Sequence, residues 1–244
     1  MDDLDLKVSH GEIHALIGPN GSGKTTALNL VNGIYFANAG SIVLGGRDVT
    51  RLAPHLRAQL GLSRTFQTVR LFWSLTVLEN VMIGMHACTR FDPLTLIRGR
   101  SAPSERAAED EARQILAFVG LIASEHVIAR ALPYGEQRIL EIARALASHP
   151  DLLLLDEPAA GLNGTETADL AELLRRIREA GVTVLLIEHD MNLVMAVSDL
   201  ITVLNFGQKI AEGSPRTIRH NPRVLEAYLG HQEPELQQNE VVRA

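Results

Sequence analysis

The chain has 244 residues, 46% of them apolar and 21% charged, with a formal net charge of −6 and a single cysteine, Cys88. That length can bury one sizeable core, and the balance of apolar and charged residues excludes both a disordered and a membrane-embedded chain. The acidic surplus gives no electrostatic footprint for nucleic acid, and a lone cysteine allows no internal disulfide, which points to a reducing cytoplasm.

The opening MDDLDLKVSH is acidic, unlike a signal peptide. Ile13 to Ile17 is short and mostly apolar, as strands buried on both faces are. It runs into Gly18-Pro19-Asn20-Gly21-Ser22-Gly23-Lys24-Thr25, which fits G-x-x-x-x-G-K-[ST], and then into the helix-compatible Thr26 to Val31. Glycines let backbone N–H groups wrap phosphates, and the helix N-terminus adds its dipole. Lys24 is suited to neutralise β and γ phosphates, and Thr25 to ligate Mg²⁺.

From about Thr76 to Leu121 the pattern turns helical. Ala108, Ala112, Ile115, Leu116 and Val119 recur at helical spacing after the cap-like Ser101-Ala102-Pro103-Ser104, which predicts a helical insertion into an α/β core. Gln137 to Ala147 carries an apolar stripe of Ile139, Leu140, Ile142, Ala143 and Leu146, so Leu132-Pro133-Tyr134-Gly135-Glu136 becomes the N-terminal approach to an amphipathic helix.

Leu152 to Leu155 predicts a buried strand that delivers Asp156 and Glu157 to its C-terminal end, where ligands bind in open α/β sheets. Asp156 would support a Mg²⁺ shell, and Glu157 would orient or deprotonate an attacking water. Val182 to Ile187 repeats the arrangement with Glu188-His189-Asp190 at its end, placing His189 to touch a γ-phosphate. Ile201 to Leu204 and Gln208 to Glu212 flank Asn205-Phe206-Gly207 as a hairpin, and His231 to Ala244 reads as a polar, frayed tail. The longest apolar runs are strand-sized, far short of the roughly 20 residues a membrane-spanning helix needs.

Taken in order, the phosphate loop, Arg64-Thr65-Phe66-Gln67, the helical insert, Leu132 to Glu136, Asp156-Glu157 and His189 resemble the nucleotide-binding subunit of an ABC transporter. The resemblance covers nearly the whole chain. It implies an α/β P-loop NTPase (RecA-like) core over residues 1–75 and 131–230, with an inserted α-helical subdomain over 76–130 and a tail over 231–244. It also implies ATP and Mg²⁺ as ligands: two subunits sandwich two ATP molecules, each held by the phosphate loop of one and the signature of the other. Carried onto this chain, Glu157, His189 and Gln67 would be catalytic, with Gln67 coupling the site to a membrane partner. Gly18 through Thr26, with Thr26 closing the loop, and Leu132, Pro133, Tyr134, Gly135 and Glu136 would meet nucleotide. Thr25, Gln67 and Asp156 would surround the metal.

Further stretches narrow the likeness. Leu75 to Val81, Pro158-Ala159-Ala160-Gly161-Leu162-Asn163, Ile187 to Met191 and Glu226-Ala227-Tyr228-Leu229-Gly230 are similar to the LivG-type ATPases of branched-chain amino acid importers. That group implies a second, related ATPase (or a second copy), two permease subunits, a periplasmic or extracellular binding protein acting indirectly, and no nucleic acid. The cytoplasmic membrane face is the implied location, through the permeases. Urea or amide uptake, lipopolysaccharide export and soluble nucleic-acid ATPases are the alternatives.

Three departures stand out. Gly164 replaces the group's usual proline. The family's relatives begin well upstream with a strand and an adenine-stacking aromatic, whereas Met1 falls in the next expected strand; a late-called start or truncation is the expectation, at roughly 1–3 kcal/mol of base stacking. Finally, Leu132-Pro133-Tyr134-Gly135-Glu136 stands where LSGGQ is usual. Pro133 brings neither hydroxyl nor N–H, which leaves two readings open: a slower, asymmetric site, or a group spelling with full activity.

Overall fold

The computed structural model describes residues 1–86 and 105–229. Cys88, Ser101 to Ser104 and the tail from His231 lie outside the described residues.

A six-stranded sheet, ordered β4-β5-β6-β1-β7-β8, organises the molecule. β1 (Ile13–Ile17), β4 (Leu62–Arg64), β5 (Leu152–Asp156), β6 (Thr183–Ile187) and β7 (Leu200–Asn205) run parallel, and β8 (Gln208–Gly213) closes the edge antiparallel to β7. The two-residue turn Phe206-Gly207 between β7 and β8 has positive φ at both positions, as hairpin turns matched to strand twist require. A small ribbon of β2 (Val43–Leu44) and β3 (Arg47–Asp48) stands apart.

The near-continuous apolar strands follow from burial on both faces. Leu153, Leu155, Val184 and Leu186 join one cluster with the helices on one side. Leu154, Leu185 and Ile187 alternate onto the other side, with Ala27 and Leu28 of α1 (Lys24–Asn32). Period-2 alternation with no solvent face leaves no position for a polar residue unless it is paired. His14, buried within β1, satisfies this by bonding Glu12 Oε1 at 3.1 Å and Thr202 Oγ1 at 2.9 Å.

The helical insertion is present as α3 (Val77–His86) and α4 (Glu105–Val119), the latter burying Ala112, Leu116 and Val119; the short α2 (Pro54–Ala58) precedes β4. Both α3 and α4 pack on α5 (Tyr134–Leu146). At the α3–α5 crossing a Cβ on Gly84 would lie 2.2 Å from the Arg144 carbonyl oxygen and 3.0 Å from the Ala147 Cβ. Helix propensity alone favours alanine by about 0.5–1 kcal/mol, but backbone cannot yield to that contact. Gly84→Ala is therefore expected to destabilise by about 1–3 kcal/mol through overpacking, read as a lower urea midpoint.

Two boundaries differ from the sequence reading. Residues 1–8 form no strand: Leu4, Leu6 and Val8 lay their apolar side chains on the sheet cluster, but apolar alternation secures burial, not a ladder partner. α5 starts at Tyr134 instead of Gln137, because Pro133, with φ −54 and ψ 152, takes the cap position and its missing N–H costs the helix nothing there. Tyr134, Gly135 and Glu136 thus form the first helical turn.

α6 (Gly164–Glu179) begins in a reciprocal capping box between Asn163 and Glu166. α7 (Met191–Val197) is capped by Asp190, and α8 (Pro215–Arg219) and α9 (Pro222–Leu229) follow β8.

Candidate functional site

The glycine-rich loop leaves the end of β1 and enters α1, as its sequence requires. Gly18 has φ +150, and a Cβ there would sit 2.1 Å from the Leu204 carbonyl oxygen on β7, so no other residue fits. The β7–β8 turn braces the loop from outside, with the Gly207 N–H donating to the Ser22 carbonyl at 2.8 Å. The first N–H groups of α1 face the loop without intrahelical acceptors, the usual setting for anion binding.

Lys24 is buried, its ammonium donating to the carbonyls of Gly18 at 2.7 Å and Pro19 at 3.0 Å. Burial lowers its pKa, and the nearby carboxylates of Glu157 and Asp156 push the other way. The loop is thereby coupled electrostatically to the end of β5. The Ser22 hydroxyl, in a residue 2% exposed, has no hydrogen-bond partner among the described residues. A buried hydroxyl left over within the glycine-rich loop fits a phosphate oxygen.

At the end of β5 the two acids part company. Asp156 is buried and accepts a 2.9 Å bond from Arg64, whose other nitrogen donates to Asn29 Oδ1 at 2.7 Å. Glu157 adopts φ +50, a left-handed conformation that few side chains tolerate, and its N–H is held by the Ile187 carbonyl at 2.9 Å. Strain of this kind persists only where the surroundings impose it. Its carboxylate accepts from Gln67 Nε2 at 2.9 Å and lies 3.8 Å from His189 Nδ1. The structure places Gln67 and His189 beside the Glu157 carboxylate, with Glu157 and Asp156 close enough to Lys24 to act on its charge.

Glu188 is fully buried and accepts from the N–H groups of Ala159 at 2.7 Å, His189 at 3.0 Å and Asp190 at 3.3 Å. Burial raises its pKa against those bonds. It ties the end of β6 to the loop that follows Glu157, which keeps His189 exposed beside the acid.

Among the described residues no three His, Cys, Asp or Glu side chains could hold a metal by themselves. The Thr25 hydroxyl, Gln67 amide and Asp156 carboxylate are hard oxygen donors, which suit Mg²⁺ shared with nucleotide phosphates. They fit the group the motif implies.

Leu132 to Glu136 turns out to be engaged within its own chain. The Tyr134 hydroxyl donates to the Ala160 carbonyl at 3.2 Å, and a Cβ on Gly135 would fall 2.5 Å from Glu166 Oε1. Sequence reasoning assigned no role to Arg64, Arg138 or Glu141, whose side chains are all buried. Their signal was available: Arg138 and Glu141 interrupt the buried side of an apolar stripe, where charge survives only if paired.

Comparison with known proteins places this geometry. A family model described as ABC transporter matches residues 1–160, and one described as branched-chain amino acid ATP-binding cassette transporter matches residues 208–234. The chain is similar to the high-affinity branched-chain amino acid transport ATP-binding protein BraF of Pseudomonas aeruginosa, 45% identical over 94% of this chain and 91% of that one. It is 43% identical to LivG of Escherichia coli over the same shares. The crystal structure of the ADP conformation of MJ1267, an ATP-binding cassette of an ABC transporter, superposes with a TM-score of 0.81 at 32% identity, covering 92% of this chain and 90% of that one. With the phosphate loop and its acids assembled as that fold requires, this chain belongs to the ABC transporter family, as an ATP-binding cassette.

Proposed function

We propose that this chain is the ATP-binding and ATP-hydrolysing subunit of an importer for branched-chain amino acids. The observation that carries the reading is the Glu157 carboxylate, held in a left-handed backbone between the Gln67 amide and His189 and within the field of Lys24. Lys24 and the loop N–H groups bind the β and γ phosphates. Glu157 takes the proton of the attacking water, Gln67 orients the acid, and His189 meets the γ-phosphate. Thr25, Gln67 and Asp156 would hold Mg²⁺, which would supply neutralisation of the charge that develops on the phosphates. Residues 76–130 serve as the helical subdomain of the core formed by 1–75 and 131–230.

The partner in this reading is a second ATPase, related or identical, whose nucleotide meets the first turn of α5. Permeases dock on the groove of about 600 Å³ beside the Gln67 loop, lined by Val69, Phe72, Trp73, Ile83 and Arg144. Phe72 and Trp73 are 47% and 43% exposed there, apolar surface that a permease helix would cover. No helix among the described residues is long and apolar enough to cross a membrane; in this reading the permeases hold the chain at the cytoplasmic face.

Reconstitution with permeases in proteoliposomes tests the reading. ATPase activity is expected to rise when leucine-loaded binding protein is added and to stay basal with unloaded protein. Stimulation by DNA or ribosomes in its place would overturn it.

A further inference from the structure

Tyr134 replaces the small residue usual in the signature, and its side chain belongs to a closed ring of hydrogen bonds that begins and ends at Glu157. The Ala160 N–H donates to the Glu157 carbonyl at 3.1 Å. The Ala160 carbonyl accepts from the Tyr134 hydroxyl at 3.2 Å, and that hydroxyl accepts from Arg138 Nε at 3.0 Å. Arg138 donates onward to the Gln67 carbonyl at 2.8 Å and the Phe66 carbonyl at 3.3 Å. The Gln67 side chain then returns to the Glu157 carboxylate at 2.9 Å.

The ring is reinforced at each corner. The Arg138 guanidinium lies over the Tyr134 ring, 5.4 Å from its centroid, and Arg138 is 4% exposed. Gly161, at φ +83, leaves room for the tyrosine: a Cβ there would sit 2.9 Å from Tyr134 Cε1. One turn further along α5, Glu141 accepts from the Arg70 N–H at 3.3 Å, so the helix grips both ends of the Gln67 loop. Buried bonds to a guanidinium are stronger than neutral ones and fix backbone carbonyls in one place.

We propose that Tyr134 and Arg138 are positioning residues for the hydrolytic site, holding Gln67 and through it the Glu157 carboxylate. This rests on the reading of Glu157 as the base for ATP hydrolysis. Because Tyr134 stands in the first turn of α5, the ring also joins the end that faces a partner's nucleotide to this chain's own base. The tyrosine spelling then has a task of its own, one that glycine at the same position cannot perform.

Tyr134→Phe keeps the aromatic packing against Gly161 and removes only the hydroxyl. In the full-length chain, kcat is expected to fall about 3- to 10-fold, the range equivalent to one ordinary hydrogen bond. Binding of a fluorescent ATP analogue to the isolated chain, which reads its own phosphate loop, should stay within about twofold of the wild type, and the thermal midpoint should fall by no more than the roughly 2–4 °C of one lost hydrogen bond. Amide hydrogen exchange over residues 66–70 should rise about threefold or more, because the loop loses its brace. Tyr134→Gly should lower kcat at least as far.

An unchanged kcat together with unchanged exchange would overturn the proposal, as would a kcat loss matched by equal losses in ATP binding and thermal stability. If the wild-type chain proved unable to hydrolyse ATP, the functional reading would fail with it. Exchange over residues 66–70 would still decide whether the ring holds the loop.

Discussion

Replacing Glu157 by glutamine is expected to lower ATP turnover by about 10²- to 10⁴-fold, the usual contribution of a positioned general base, with ATP binding retained. The glutamine keeps the shape and the left-handed backbone demanded at φ +50, and its carbonyl can still accept from Gln67. What disappears is the group able to take a proton. The loop that binds phosphate is built from β1 and α1 and does not depend on the lost charge. Removing a negative charge beside the γ-phosphate lessens repulsion, so affinity should be equal or tighter. Single-turnover hydrolysis and equilibrium binding of Mg·ATP separate the two effects. Hydrolysis above about a tenth of the wild-type rate would show that Glu157 is not the base.

Arg57→Leu should be the most destabilising single change, by about 3 kcal/mol or more, because it removes several charge-assisted bonds at once. Arg57 is fully buried in α2 and donates only to backbone: the carbonyls of Leu30 and Val31 at 2.6 Å each, Leu52 at 3.0 Å and Thr50 at 3.2 Å. Leu30 and Val31 belong to the last turn of α1, where the dipole is negative and the Leu30 carbonyl otherwise accepts only from the Gly33 N–H at 3.2 Å. A leucine fills part of the volume, takes the guanidinium away from all four carbonyls and leaves the Leu30 oxygen with only the Gly33 N–H. For a domain of this size the thermal midpoint is expected to drop by roughly 6–12 °C. Nucleotide binding should weaken as well, since the far end of α1 carries Lys24 and Thr25. A loss below about 1 kcal/mol would mean that water replaces the guanidinium at those carbonyls.

These two residues differ in how readable they were. Glu157 follows four leucines that can only be a buried strand, and a carboxylate at such a strand's end is conspicuous. Lys24 and His189 are likewise placed by short contiguous patterns, and the β7–β8 hairpin by its turn residues. Arg57 sits in an ordinary-looking polar stretch, and its acceptors are separated from it by up to 27 residues. Arg64 and Asp156 lie 92 residues apart, and Arg138 and Gln67 lie 71 apart. No local pattern encodes a partner at that distance.

The start of α5 shows the same limit in one place. The apolar stripe identified the helix, because amphipathic period is a local property. It did not reveal that the helix begins at Tyr134 behind Pro133, nor that the Tyr134 hydroxyl reaches the Ala160 carbonyl, which depends on where the loop after β5 comes to rest. By itself, then, the sequence determined five of the six strands of the main sheet, the phosphate loop, the paired acids and the family these belong to, all of them features written in neighbouring residues. Only the tertiary structure decided which buried charges are satisfied by which carbonyls and carboxylates, and that the unusual signature closes a ring on Glu157 of its own chain, because such pairings exist only once distant segments are packed together.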